Sequence, residues 1–474
     1  MTNQHHHKIS SAMKRLANQY PAQRLVIHLD NSDTWLQIDA CATELAWVII
    51  PVPHFFSLTQ IQHLIQQAGV TSIWCDPRAF TLYQQLGFDV VEESESGLYL
   101  LHRAVKELPE LPEGTHKVTY TSGTTNEPKG VCLSEAHLSK VGYSLAEATR
   151  KLGLSKHISL LPYSVLLENM AASYANAFAE LSIISLPLSE VGLSGSGGLD
   201  IEVMVNAIIK HQADSMIMMP QMLKQLMIYL TDQAADAKAD LSFVKFIAVG
   251  GAVCSPQLIQ RAHDLGLPVY QGYGISECGS VICLNTEKNT AYGVGKALPH
   301  CEIQLAEDGE VLVKGPHYLG YLGEEHSNNH NKYFSTGDIG EIDKADHLNI
   351  TGRKKNTIIN SFGRNILPDW LEGELLAIPG VHQAVIYGEA QPFLTALCVT
   401  QLNKQQLQQA IDQLNNTLPD YAQIIECVIC TPFTVANEQL TSSGKTKHFQ
   451  IFKSHQNTLE TIYATRTEHT SYAI

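Results

Sequence analysis

Ten residues constrain this chain more than any others: Thr121-Ser-Gly-Thr-Thr-Asn-Glu-Pro-Lys-Gly130. Hydroxyls, glycines and one lysine crowd together here, the makings of a flexible cradle of backbone N–H groups, hydroxyls and an ammonium around a polyphosphate. The loop follows Lys117-Val-Thr-Tyr120, which reads as a buried strand, so the cradle opens where α/β sheets usually carry their ligands, at a strand's carboxyl end. Five residues separate Gly123 from Lys129, which is not the GxxxxGK[ST] spacing of a P-loop. The phosphate loop is of another kind.

The sequence around it has the βαβ rhythm of a parallel sheet. Leu25–Leu29 reads as a strand, Trp35–Ala46 as a helix, the run to Val52 as a second strand, Ser57–Ala68 as a helix and Thr71–Cys75 as a third strand. The rhythm resumes with Ile158–Pro162, Leu181–Leu186, Ser215–Met219 and Phe243–Val249. The glycine-rich stretch Gly192–Gly198 leads to no lysine and is expected to be a mobile surface loop. From about residue 300 the pattern turns to short alternating strands, 301–305 and 309–315, a small β subdomain. The segment from 352 to 474 mixes short strands with one amphipathic helix, Asn403–Asn416, and reads as a separate α+β domain.

At 474 residues, two or three domains are expected. A net charge of −15 excludes a general nucleic-acid binder, which needs a basic surface. The longest apolar run, Leu45–Pro53, falls well short of the roughly 20 residues that span a bilayer. Ten scattered cysteines read as reduced thiols of a cytoplasmic protein. Cys427 and Cys430 form a CxxC inside an apolar run, better suited to a buried strand than to a redox or zinc site. His5–His7 read as part of a polar, frayed end.

Five further segments carry chemistry. In Tyr270-Gln271-Gly272-Tyr273-Gly274-Ile275-Ser276-Glu277, an aromatic between glycines can lie against a purine, while a hydroxyl and a carboxylate follow for phosphate and Mg²⁺. Gly250-Gly251-Ala252 ends a predicted strand where a bound ring would exclude larger side chains. Thr336-Gly-Asp338 puts a carboxylate after a tight turn, suited to vicinal hydroxyls, and Thr351–Asn356 is a basic turn between strands. Near the end, Thr441-Ser-Ser-Gly-Lys-Thr-Lys447 joins glycine to lysine again. Each segment alone also fits an ordinary turn or surface loop.

Taken in order, these motifs resemble those of the acyl-adenylate-forming superfamily, the acyl- and aryl-CoA synthetases, carrier-protein adenylation domains and firefly-type luciferases. The resemblance runs from about residue 25 to 453 and extends to Gly293–Pro299, Gly320-Tyr321 and Gly363–Asp369. It implies a large N-terminal domain, residues 1–351, of parallel-rich sheets with helices and the β subdomain, and a small mobile α+β lid, residues 352–474, hinged at 353–356 about Lys355. It also implies ATP, Mg²⁺ and a thiol acceptor, coenzyme A or the phosphopantetheine of a carrier protein. The leading expectation is an acid–thiol ligase for a fatty or other hydrophobic acid. A carrier-protein ligase and a catalytically silent nucleotide-binding relative are the alternatives.

By the same resemblance Lys445 bridges the carboxylate and the α-phosphate, Glu277 and Thr125 hold Mg²⁺ or phosphate oxygens, Lys129 shapes the pyrophosphate cradle with Ser122, Gly123 and Thr124, and Thr121 belongs to the nucleotide site. Gly250, Gly251, Ala252, Gln271, Gly272, Tyr273, Gly274 and Ser276 surround the base and α-phosphate, and Asp338 and Arg353 hold the ribose. Tyr163, Ser164, Gly250 and Gly272 are expected to line the acyl pocket. The chain departs from the usual pattern in lacking an early Tyr-rich segment, so a trimmed N-terminal subdomain is expected. Ser164 stands where a histidine is common, Ser276 replaces threonine, and His448 occupies a common arginine position.

Overall fold

A computed structural model describes residues 2–20, 23–121, 128–194, 198–232, 239–252, 254–286, 293–324, 332–441 and 444–470. Two large sheets form the body. The first runs Gly320–Tyr321, Lys129–Leu133, Lys117–Thr121, Val48–Pro51, Arg24–His28, Ser72–Cys75, Tyr99–His102 and Asp89–Glu93 in spatial order. Its four middle strands are parallel. Alternation along Arg24–His28 feeds two cores: Val26 packs with Ile50 and Ile73 on one face, Leu25 and Ile27 with Ile49 and Trp74 on the other. A strand buried on both faces must read as a continuous apolar run, which is how it was legible.

The second sheet orders Ser182–Ile184, Lys156–Ile158, Ser215–Met218, Phe246–Val249 and Val269–Tyr273 in parallel, then turns antiparallel through Cys283–Leu284 and Lys296–Ala297. The helix Glu135–Thr149 joins the two sheets: its Leu138 and Val141 pack with Val131 of the first and Phe246 and Tyr270 of the second. Gly142 in that helix permits close approach, since a Cβ there would lie 2.6 Å from the backbone of Tyr174. A buried ion pair braces the same region, with the Lys117 ammonium donating to Asp39 at 2.8 Å and to the Asn169 amide oxygen at 2.6 Å.

A four-stranded antiparallel sheet follows, Glu302–Leu305, Glu310–Lys314, Phe334–Ile342 and Leu348–Arg353. The small C-terminal domain carries the hairpin Ile358–Ile359/Asn365–Ile366 and a sheet of Val381–Tyr387, Leu394–Thr400 and Ile424–Ile429. Helices Pro368–Ala377 and Lys404–Asn415 cover one face of it, and His448–Ser454 and Gln456–Thr470 the other.

Several expectations need correction. The N-terminus is a helix, Thr2–Gln19, not a frayed end; Ile9, Met13 and Leu16, at helical spacing, are buried in the first sheet's core. The strand expected at Ile158–Pro162 lies at Lys156–Ile158, ahead of the proline. Thr336–Asp338 is no turn but the interior of a strand, with Gly337 at φ +73°. The C-terminal domain has four helices rather than one, among the described residues. The Gly192–Gly198 stretch has the arms of a short antiparallel hairpin, Leu193–Ser194 and Gly198–Leu199; residues 195–197 lie outside the described set. Cys427 sits in a buried strand as read, and all ten cysteines are free, their tight packing raising the Cys430 thiol to about 11. No described helix is long and apolar enough to cross a membrane.

Candidate functional site

Asp338 and Arg353 stand directly opposite one another on neighbouring antiparallel strands, where cross-strand side chains meet. The Arg353 Nε lies 2.8 Å from one Asp338 oxygen, and the Tyr273 hydroxyl donates to the other at 2.7 Å. Asp338 is 3 % exposed. Burial pushes its carboxyl above the usual range, although Arg353 and the Tyr273 hydrogen bond pull it back. Burial and the Asp338 charge likewise raise the Tyr273 phenol. Tyr273 ends the strand Val269–Tyr273, so its ring is carried to a carboxyl edge of the second sheet.

The chain then doubles back tightly. Ser280 N–H donates to Ile275 and Ile282 N–H to Tyr273. A Cβ at Gly274 would lie 2.0 Å from the Ser280 carbonyl oxygen, so only glycine fits. This fold-back seats the one-turn helix Ser276–Cys278 and presents Glu277, whose Oε1 accepts the Tyr321 hydroxyl at 2.6 Å. Burial, with the Glu277 hydrogen bond and charge, raises the Tyr321 phenol.

Tyr321 connects Glu277 to the strand Lys129–Leu133. Gly320–Tyr321 pairs with Lys129–Leu133, and the Lys129 ammonium sits 4.8 Å from the Tyr321 ring centroid. Lys129 also meets Glu324 at 2.8 Å, but both side chains are about half exposed. A pair so exposed is worth about 1 kcal/mol or less. Thr121 closes the strand Lys117–Thr121 opposite Lys129. Ser122, Gly123, Thr124 and Thr125 lie outside the described residues.

Gly250 and Gly251 follow the strand Phe246–Val249. Gly251 has φ +78°, and a Cβ there would meet the Met219 sulfur at 3.1 Å; at Gly250 it would meet the Gly272 carbonyl at 3.1 Å. Ala252 is exposed, and Gln271, Gly272 and Ser276 are half-buried alongside.

Lys445 arrives from the small domain. A tight loop holds it: Lys445 N–H donates to Thr441 Oγ1 at 3.0 Å, Thr441 N–H donates to the Lys445 carbonyl at 2.7 Å, and Gly444 takes φ +79°. Lys445 is exposed overall, although protein packs round its ammonium. That crowding lowers the ammonium's affinity for its proton, as do Arg353 and Lys355, while Glu277 and Asp338 act oppositely. Those are neighbours from both ends of the site. Tyr273 and Arg353 thus contact Asp338 directly, and Lys445 and Lys355 lie within electrostatic range of Glu277, Asp338 and Arg353.

Lys355 lies in the turn Lys354–Asn356, between fixed points. Lys354 holds Asp308 at 2.6 Å and Glu310 at 2.9 Å, and Asp369 accepts from Arg353 N–H at 3.2 Å and the Asn356 amide at 3.1 Å. Tyr163, expected in the acyl pocket, is instead fully buried in the first sheet's core against Trp35, its hydroxyl 2.6 Å from Ser185. Asn31 fixes the Tyr163 backbone there, so the ring contributes no surface to the cleft. Ser164 is half-buried in the following turn. Sequence reasoning gave no role to Tyr321 or Asp369, although both stand in quoted motifs. Glu324 left no signal.

The AMP-binding enzyme family model matches residues 2–322, and the model of the AMP-binding enzyme C-terminal domain matches residues 355–467. Among curated relatives, the long-chain-fatty-acid–CoA ligase FadD15 of Mycobacterium bovis is 38 % identical over 153 residues, 31 % of this chain and 26 % of the relative. The 2-succinylbenzoate–CoA ligase of Bacillus velezensis is 29 % identical over 59 % of this chain and 57 % of its own length. The chain therefore spans between about a quarter and three-fifths of these relatives. Two solved structures share the fold: Bacillus subtilis O-succinylbenzoate CoA synthetase (MenE) with ATP and magnesium ion, at TM-score 0.73 and 19 % identity over 93 % of this chain and 92 % of that one, and ATP-bound MatB of Rhodopseudomonas palustris, at 0.74 and 19 % over 94 % and 92 %.

Proposed function

We propose, from the premise that this chain belongs to the AMP-binding enzyme family, that it joins a carboxylic acid to a thiol in two ATP-driven steps. A carboxylate oxygen attacks the α-phosphorus of ATP, the bond to the bridging oxygen breaks, and pyrophosphate leaves. A thiol then attacks the acyl carbon, loses its proton, and AMP departs. Coenzyme A is the acceptor we favour, because the relatives include CoA ligases for fatty, succinylbenzoic and ferulic acids.

The observation that carries this reading is the contact of Asp338 with Tyr273 and Arg353, with Lys445 of the other domain within electrostatic range of Asp338 and Glu277. An in-line phosphoryl displacement accumulates charge on non-bridging oxygens, so its catalyst is a cation already in place. Lys445 supplies that cation, held by its loop and left partly open to water. Asp338, aimed by Arg353 and Tyr273, is a two-lobed acceptor suited to vicinal ribose hydroxyls. The glycines at 250 and 251 let the backbone run close to Gly272 and Met219, beside the strand end that carries Tyr273.

Glu277, a hard oxygen donor with one oxygen on Tyr321, fits Mg²⁺ held with ATP oxygens, and Thr125 is its expected companion. When bound, Mg²⁺ neutralises phosphate charge. The lobe boundary falls at 351/352 in this reading, with rotation about Lys355 withdrawing Lys445 after the first step and admitting the thiol. The acid is hydrophobic, fatty or aryl, in keeping with the mostly small or apolar residues along 219–223 and 272–280. ATP–pyrophosphate exchange across fatty, aryl and amino acids tests the proposal, followed by thioester formation with coenzyme A against a panel of carrier proteins. Exchange with no acid refutes it; acylation of carriers alone replaces the acceptor.

A further inference from the structure

The helix Pro368–Ala377 of the small domain is gripped at both ends. Near its start, Asp369 accepts from Arg353 N–H and Asn356. At its end two cations from the large body reach across. The Lys224 ammonium, from helix Pro220–Asp232, donates to the Leu376 carbonyl at 2.6 Å and also to Val381. Arg261, from helix Pro256–Asp264, donates to the Ala377 carbonyl at 2.5 Å.

Leu376 and Ala377 are the last two residues of their helix, where carbonyls have no intrahelical partner and the dipole is negative. Lysine and arginine are the right groups for that end. Both are partly buried by the contact. Crowding lowers Lys224 to about 8, with the Arg261 charge adding to the effect.

The middle of the same helix reaches the Lys445 loop. Glu372 accepts from His448 Nε2–H at 2.8 Å and from Ile386 N–H at 3.0 Å. His448 stands three residues after Lys445, at the start of helix His448–Ser454. One rigid helix therefore links the contact with the large body to the loop that carries Lys445.

We infer that Lys224 and Arg261 are positioning residues for acid activation: they dock the carboxyl end of the Pro368–Ala377 helix onto the large body and so hold Lys445 at the Glu277–Asp338 site. This inference rests on the proposed function for its kinetic meaning, though not for its physical content. The contact suits a temporary hold. Its acceptors are backbone carbonyls that water can satisfy once the small domain turns away, so release leaves no buried charge behind. A motif search passes over it, because neither cation touches substrate.

The test uses the full chain with Lys224→Met and Arg261→Met together, which keep apolar stems, and Lys224→Arg as the conservative change. Amide hydrogen exchange of residues 373–381 and small-angle scattering report the docking without reference to activity. Exchange should accelerate about tenfold in the double variant, the effect of losing about 1.4 kcal/mol of protection, and scattering should broaden. In kinetics, kcat for acid-dependent pyrophosphate exchange should fall about tenfold, with KM for ATP within about twofold. Thioester formation from supplied acyl-AMP should stay within about twofold, and Lys224→Arg should keep most of the exchange rate. Equal loss of both half-reactions overturns the inference, as does an unchanged exchange rate. If the unsubstituted chain activates no acid, the functional proposal fails alone, and the hydrogen-exchange result still decides the docking: unaltered protection refutes it.

Discussion

Replacing Asp338 by asparagine separates what this carboxylate does for the fold from the nucleotide-binding role proposed for it. Asp338 is nearly inaccessible and accepts from both Tyr273 and Arg353. A simple count of contacts predicts a large loss on substitution. The direction of its titration says otherwise. Burial outweighs both partners, so its pKa is raised above 3.8. A native carboxyl that holds its proton more tightly than the unfolded one destabilises the fold as pH rises through the interval above 3.8, and the whole cost persists at neutral pH. Asparagine removes that cost and still offers an oxygen to Tyr273. What it loses is the Arg353 pair, and since Arg353 is 43 % exposed that loss is about 0.2–1 kcal/mol.

The two effects oppose one another, so the melting temperature of Asp338→Asn should stay within about 2–4 °C of the parent at pH 7 and its pH slope in the acid range should flatten. Nucleotide use should suffer much more. Two hydrogen bonds from ribose hydroxyls to a carboxylate are each worth about 1.5–3 kcal/mol, and an amide oxygen retains part of one. A rise in KM for ATP of about ten- to a hundredfold follows. The assay pairs calorimetry with initial rates at varied ATP. A melting temperature that collapses while ATP use is unchanged refutes the reasoning.

Two more outcomes follow from the same geometry. Gly274→Ala, whose Cβ would fall 2.0 Å from the Ser280 carbonyl, should cost about 1–3 kcal/mol or more and disable ATP use, whereas Gly250→Ala, at 3.1 Å from the Gly272 carbonyl, should be the milder change by thermal melting. The Glu372–His448 pair should make the small domain weaken with rising pH. Burial opposes the His448 imidazolium, but Glu372 outweighs it and raises His448 above 6.5, while burial raises Glu372 above 4.5. Stability present below 6.5 is therefore lost as pH climbs through the raised histidine value; His448→Arg, always charged, should abolish that part of the slope, and an unchanged melting profile contradicts the assignment.

The body was readable because parallel strands buried on both faces, such as Leu25–Leu29, leave unbroken apolar runs, and because glycines mark places where nothing else fits. Gly274 and Glu277 were found that way. The first helix was missed because attention went to its histidines rather than to Ile9, Met13 and Leu16, whose spacing shows a buried stripe. Tyr163 was misplaced because a motif gives a backbone position, not the side of the sheet on which a ring lands. Asp338 looked like a turn residue because glycine precedes it, yet Gly337 takes positive φ within a strand. Lys224 and Arg261 were invisible for a different reason. Their partners are carbonyls more than a hundred residues away, which no side-chain pattern records.

The most direct test compares Lys445→Ala with the parent chain in both half-reactions. Acid-dependent pyrophosphate exchange should fall by at least about a hundredfold, the loss of a cation that acts only as phosphoryl charge develops, while thioester formation from supplied acyl-AMP should be nearly unchanged. Parallel losses in the two, or exchange at the parent rate, would contradict the central claim that the small domain brings this ammonium to a nucleotide held by the large one.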